Sequence, residues 1–119
     1  SKEKRTVYEI VKESQKAGLK AVRPQKTCVS VDDACRKIIT EHSYGPHFIH
    51  STGHGIGLDV HENPNISGKS KEKLKKDMAI TVEPGIYIPK KFGVRIEDSL
   101  IVKDRAAVMH KFTKDLIVI

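Results

Sequence analysis

The hydrophobic period of this chain changes once, near Phe48, and that change limits the fold more than any other feature. Before it, Val7, Ile10, Val11, Ser14, Ala17, Gly18 and Ala21 recur at intervals of three and four. They mark one narrow face of a helix of about 16 residues. Arg23-Pro24 ends that helix, because the residue before a proline is pushed out of helical geometry. Ser30, with Asp33 three residues later, predicts an N-cap and an acidic first turn for a second helix. Val31, Ala34, Cys35, Ile38 and Ile39 supply its buried stripe, and His42 to Pro46 reads as a loop.

From Phe48 onward the period falls toward two, the signature of half-buried strands. Ile56, Leu58 and Val60 alternate with Gly57 and Asp59. Met78 to Glu83, Gly85 to Pro89, Val94 to Asp98 and Leu100 to Lys103 are further expected strands, with Leu116 to Ile119 as a last short one. Lys90-Lys91-Phe92-Gly93 predicts a hairpin turn. Asn63 to Lys73, punctuated by Pro64 and Gly68, reads as a polar loop. No repeat or linker divides the 119 residues, a length that fits one domain. Helices followed by an antiparallel sheet predict an α+β domain.

Chemistry concentrates in the second part. His54 and His61 lie in Thr52-Gly53-His54-Gly55-Ile56-Gly57-Leu58-Asp59-Val60-His61-Glu62, and Glu83 and Glu97 lie in Val82-Glu83-Pro84-Gly85 and Val94-Arg95-Ile96-Glu97-Asp98. A charged side chain inside a strand flanked by Val and Ile is costly unless something pairs with it. Imidazole and carboxylate are also the ligands a divalent cation needs. On a Val94 to Asp98 strand, Arg95 and Glu97 share a face; on Thr81 to Glu83, Thr81 and Glu83 share one. If these strands are neighbours, Glu83 and Glu97 project into one pocket. The Gly55-Ile56-Gly57 stretch after His54 permits close backbone approach. Taken singly, each of these residues has an ordinary explanation: a strand glutamate is usually exposed or salt-bridged, and a lone histidine usually hydrogen-bonded.

Composition removes other classes. The chain is 38% hydrophobic, which fits neither disorder nor a membrane protein. No apolar run approaches the roughly 20 residues of a spanning helix, and Ser1 to Arg5 contains nothing like a signal peptide. The net charge of +7 owes much to Lys69, Lys71, Lys73, Lys75, Lys76, Lys90 and Lys91. These lysines are not interleaved with aromatics and accompany no nucleic-acid motif, so a solvated loop is expected and no nucleic-acid partner. If Cys28 and Cys35 lie on one helix they are two turns apart, about 10 Å, too far to bridge. Buried thiols in a reducing cytoplasm are the expectation.

Together these segments resemble the pita-bread metallopeptidases, in particular the Xaa-Pro dipeptidase (prolidase) and aminopeptidase P branch. The residues that carry the resemblance are His50-Ser51-Thr52-Gly53-His54-Gly55-Ile56-Gly57-Leu58, Val60-His61-Glu62-Asn63-Pro64, Val82-Glu83-Pro84-Gly85-Ile86-Tyr87-Ile88-Pro89 and Gly93-Val94-Arg95-Ile96-Glu97-Asp98. Val7-Tyr8-Glu9-Ile10-Val11 and Ala21-Val22-Arg23-Pro24 extend it through nearly the whole chain. Methionine aminopeptidases share the first two elements and differ in the later ones. Gln25 departs from the family, which usually has glycine there.

The resemblance implies a dinuclear exopeptidase hydrolysing Xaa-Pro dipeptides or N-terminal Xaa-Pro bonds. It makes His54, Glu83 and Glu97 metal ligands, with Glu97 bridging two ions and Glu83 also managing the proton of the attacking water. His61 is implied to stabilise the oxyanion, His50 to line the substrate pocket, and Tyr87 and Arg95 to orient carboxylates. The implied cofactor is a pair of divalent ions, manganese or cobalt at least as well suited as zinc. A short Xaa-Pro peptide is the implied substrate, and a homodimer the implied state of the parent protein. The family's centre also uses two aspartates from strands that precede the first helix here, and no residue of Ser1 to Arg5 serves. The chain is therefore expected to be the second half of a catalytic domain, holding at most one weakly bound ion and inactive alone. The alternative is a non-catalytic protein-binding module on the same fold, against which the retained His54, Glu83 and Glu97 argue.

Overall fold

The computed structural model of the chain describes residues 1–56 and 62–109. The first helix, α1 (Lys2–Ala21), is capped by Ser1, whose hydroxyl accepts from the Lys4 N–H at 3.2 Å. Its buried face is Val7, Ile10, Val11, Ser14, Gln15 and Gly18; of the expected stripe Ala17 and Ala21 are only partly buried, and Gln15 is added. It stops at Val22, just before Arg23-Pro24.

The second helix, α2 (Cys28–Glu41), starts earlier than expected. Thr27 is the N-cap, and its hydroxyl accepts from the Ser30 N–H at 3.1 Å. The Ser30 hydroxyl turns back onto the Thr27 carbonyl at 2.6 Å, so Ser30 is inside the helix rather than capping it. No acidic residue occupies the first turn. Between the helices, Gln25 adopts a left-handed φ of 71° while its N–H donates to the Leu74 carbonyl. That backbone conformation is where the family's glycine would sit at least cost.

The strands are β1 (Gly53–Gly55), β2 (Glu62–Ile66), β3 (Ala79–Val82), β4 (Gly85–Ile88), β5 (Phe92–Arg95), β6 (Asp98–Val102) and β7 (Ala106–Val108). β2, β1, β3, β6 and β7 form an antiparallel sheet in that order, and β4 and β5 pair as a separate hairpin. Its turn carries Lys90 at φ 62°, where a turn was expected.

Three expectations change. The supposed loop from Asn63 begins as strand β2, because Pro64 lies on a sheet edge, where a missing N–H breaks no ladder. Val94 to Asp98 is not one strand: it breaks between β5 and β6, and the two halves belong to different sheets. The neighbour of β3 is thus β6, not a strand running from Val94. The short strand β7 was not anticipated. The expected strand from Ile56 to Val60 has only Ile56 among the described residues, and Leu116 to Ile119 lies outside them.

Helices and sheet share one core. Val7, Val11, Val31, Cys35 and Ile39 from the helices and Ile66, Ile80, Val82, Leu100 and Val102 from the sheet are fully buried. Burying a Val or Leu side chain stabilises by roughly 1.5–3 kcal/mol, which makes this the main cohesive term. Cys28 and Cys35 are free and buried, as expected. Among the described residues no helix is long and apolar enough to cross a membrane.

Candidate metal centre

The site lies where the sheet runs out. In the β3–β6 ladder, Val82 pairs with Asp98. Both reach the helix side: Val82 lies against Gly18, and the Asp98 carboxylate accepts from the buried Gln15 amide at 2.6 Å. Side chains alternate along a strand, so continued alternation would turn the next residues, Glu83 and Glu97, away from the helices. One further step of the same register sets those two opposite each other.

Glu83 is fixed through its backbone, its N–H donating to the Thr52 carbonyl at 2.6 Å. His54 sits across from it on β1. The His54 N–H donates to the Thr81 hydroxyl at 3.1 Å, and the imidazole Nδ1 meets the Gly55 carbonyl at 2.8 Å. A carbonyl only accepts, so Nδ1 carries a proton and Nε2 is the ring nitrogen turned to the site. That Nε2 is 3.5 Å from Glu83 Oε2. The same Oε2 is buried and has no hydrogen-bond partner. Either a proton on Nε2, making an imidazolium–carboxylate pair, or a cation held between the two atoms satisfies this contact.

β1 reaches this position because residue 53 is glycine. A Cβ there would stand 1.9 Å from the Thr81 carbonyl oxygen, so no other residue allows β1 and β3 to pack so closely. Of the Gly55-Ile56-Gly57 stretch, where a close approach was expected, Gly57 lies outside the described residues.

A second pair stands nearby. His50 Nδ1 meets the Ser51 carbonyl at 2.7 Å, so its Nε2 accepts from the Tyr87 hydroxyl at 3.0 Å. Tyr87 therefore engages an imidazole rather than a carboxylate. Its ring is seated against Gly93, where a Cβ would come within 2.7 Å. Arg95 does meet a carboxylate, Glu97 Oε1 at 3.5 Å, in an exposed pair. Glu97 does not join His54 and Glu83: among the described residues no three His, Cys, Asp or Glu side chains are close enough to hold one ion. His61 lies outside the described residues.

Sequence reasoning missed Asp32, Arg36 and Thr52. Asp32 is fully buried and accepts from Arg36 and from the Thr52 hydroxyl. The i, i+4 spacing of Asp32 and Arg36 was a visible signal of an ion pair.

His54 and Glu83 thus meet at the open end of an antiparallel sheet backed by two helices. Residues 1–104 match metallopeptidase family M24, and the chain belongs to that family. The Xaa-Pro dipeptidase of Pyrococcus furiosus is 49% identical over 107 residues, which cover 90% of this chain and 31% of that relative. The structure of an Xaa-Pro dipeptidase from Bacillus anthracis is similar at a TM-score of 0.97 and 45% identity, covering 100% of this chain and 34% of that one. An X-Pro aminopeptidase from Thermotoga maritima is similar at 0.94 and 38% identity, again covering 100% and 34%. The chain spans about a third of the length of these relatives. Its fold is the pita-bread fold, as the resemblance implied.

Proposed function

We propose that this chain supplies the second half of a pita-bread catalytic domain whose whole protein cleaves Xaa-Pro bonds in short peptides with two divalent metal ions. The observation that carries the reading is the orphaned, buried Glu83 Oε2 beside His54 Nε2. A buried carboxylate oxygen without a hydrogen bond is costly unless a positive charge, an imidazolium or a metal ion, compensates it. His54 and Glu83 are the donors that meet here, and with the carboxylate of Glu97, which the family motif adds, the set suits manganese or cobalt. His54, Glu83 and Glu97 would hold the ions, with the remaining carboxylates supplied by residues outside these 119. Three ligands alone would hold at most one ion, weakly.

Bound metal would lower the pKa of a water and polarise the substrate carbonyl. The chain's own residues do the rest. Glu83 accepts the proton of the attacking water and passes it toward the leaving proline nitrogen. His61 donates to the oxyanion, a charge that develops only in the transition state. His50, held by Tyr87, lines the substrate pocket and presents a fixed ring edge to it. Arg95 restrains Glu97 between turnovers.

The test is metal analysis with kinetics on Gly-Pro and Ala-Pro peptides, using the full-length protein. Chelation should abolish cleavage, and Glu97→Ala should abolish it without chelation. His61→Ala should lower turnover while metal content stays near wild type. Full activity in the Glu97 variant would sink the assignment.

A further inference from the structure

Asp32, Arg36 and Thr52 take no part in the chemistry above, yet they tie α2 to the segment that carries His50 and His54. Asp32 is completely buried. Its Oδ2 accepts from Arg36 Nε at 3.0 Å, and its Oδ1 accepts from Arg36 Nη2 at 3.1 Å and from the Thr52 hydroxyl at 2.8 Å. The guanidinium then reaches past Asp32. Nη1 donates to the Phe48 carbonyl at 3.0 Å and Nη2 to the His50 carbonyl at 3.1 Å. Its face lies 4.0 Å from the centre of the Phe48 ring. Phe48 meets His50 edge-on at 5.2 Å, and His50 meets Tyr87 at 5.3 Å.

The residue between the two clamped carbonyls, Ile49, is 72% exposed and anchors nothing. The backbone on either side of it is held by Arg36. We infer that Arg36, itself oriented by Asp32, is a positioning residue that sets the place of the His50 imidazole, and with it the contact of Nδ1 with the Ser51 carbonyl that fixes the Nδ1-protonated tautomer. The inference rests on the reading that His50 lines the substrate pocket. Only arginine can fill the role. The two bonds to Asp32 and two to carbonyls need several N–H groups fixed in one plane, whereas a lysine ammonium is a single point.

The test uses the full-length protein and its metal. Arg36→Lys keeps the charge beside Asp32 and loses the carbonyl clamp. It should lower kcat/KM on Ala-Pro by about tenfold or more, as expected when a reacting group is misplaced by a fraction of an ångström. Metal content should be unchanged. His50→Ala should lower kcat/KM as well, and the double variant should be no worse than His50→Ala alone, because Arg36 acts through His50. A merely structural role gives losses that multiply. The second readout does not need turnover: long-range 1H–15N correlation of the His50 ring should report Nδ1–H in wild type and a tautomer mixture in Arg36→Lys. If Arg36→Lys does not fold, Phe48→Leu leaves the ion pair whole, removes the ring between Arg36 and His50, and should disturb the same resonances. Multiplying losses with unchanged His50 nitrogen shifts overturn the inference and leave the proposed function standing. Altered His50 shifts in a protein that cleaves no Xaa-Pro bond support the positioning and overturn the function.

Discussion

Val82 and Asp98 are partners on the last rung of the β3–β6 ladder, and both are spent on the helix side of the sheet. This is why the following Glu83 and preceding Glu97 are available to the other side. The packing of α1 on the sheet and the direction of the two glutamates are one fact. A device that holds Asp98, such as the Gln15 amide, also holds the start of the strand that follows Glu97.

The buried, unpartnered oxygen of Glu83 predicts opposite effects on stability and activity. Glu83→Gln removes the anion and places an amide N–H near His54 Nε2. Metal-stripped protein should gain about 1 kcal/mol or more, since an uncompensated buried charge is gone. Activity of the metal-loaded whole protein should be lost. Urea unfolding in chelator, alongside peptide hydrolysis, checks both; a less stable metal-stripped variant would show that Glu83 is compensated within the protein.

Gln25 sits at φ 71° in a loop whose N–H is already used. A non-glycine residue in that conformation carries about 1–2 kcal/mol of strain. Gln25→Gly relieves it and loses part of the gain to the larger entropy of the unfolded chain. The net expectation is a rise of about 0.5 kcal/mol in unfolding free energy, read from the urea midpoint at unchanged slope. Gln25→Ala lacks that relief and should leave the midpoint where it is.

The helices were legible because their stripes are local: Val7, Ile10 and Val11, then Val31, Cys35 and Ile39, are spaced as one turn dictates and are all buried. β3, β4, β5 and β6 were legible as apolar runs, but not as partners, while β1, β2 and β7 were not read as strands. Nothing within Val94 to Asp98 marks the break before Asp98, because that break is set by the β4–β5 hairpin peeling away from the main sheet. Pro64 read as a loop signal, since sequence does not reveal which strand will be an edge. The metal-ligand candidates were visible as motifs. The Asp32–Arg36–Thr52 clamp as a whole was not, because beyond the i, i+4 pair it joins α2 to residues 12, 14 and 20 positions away through contacts that exist only after folding.

Gly53 is the tightest point of the site. A methyl group there meets a backbone carbonyl at 1.9 Å, and backbone cannot rotate aside as a side chain can. Gly53→Ala should cost about 3 kcal/mol or more, at the upper end of overpacking effects. It should also push His54 away from Glu83, so metal affinity should fall together with stability. A variant that keeps the wild-type urea midpoint would mean that β1 and β3 are farther apart than described.

Cys35 makes the last prediction. Burial pushes its thiol up from an ordinary value of 9.0 to about 12, against the opposing effect of hydrogen bonds with Ser14 and Thr52. The folded protein therefore keeps this proton at a pH where the unfolded chain releases it. Below about pH 9 both states hold the proton and the difference is silent. Between pH 9 and about 12 the unfolded state binds fewer protons, so stability falls as pH rises, by up to about 1.4 kcal/mol per unit for this group. Cys35→Ala removes that slope. Alkylation follows the same logic: at pH 8 iodoacetamide should modify Cys35 only as fast as the protein opens, and urea should accelerate the reaction in step with unfolding. Rapid labelling of the native protein, or an alkaline slope unchanged in Cys35→Ala, would mean that this thiol is not sealed between the helices.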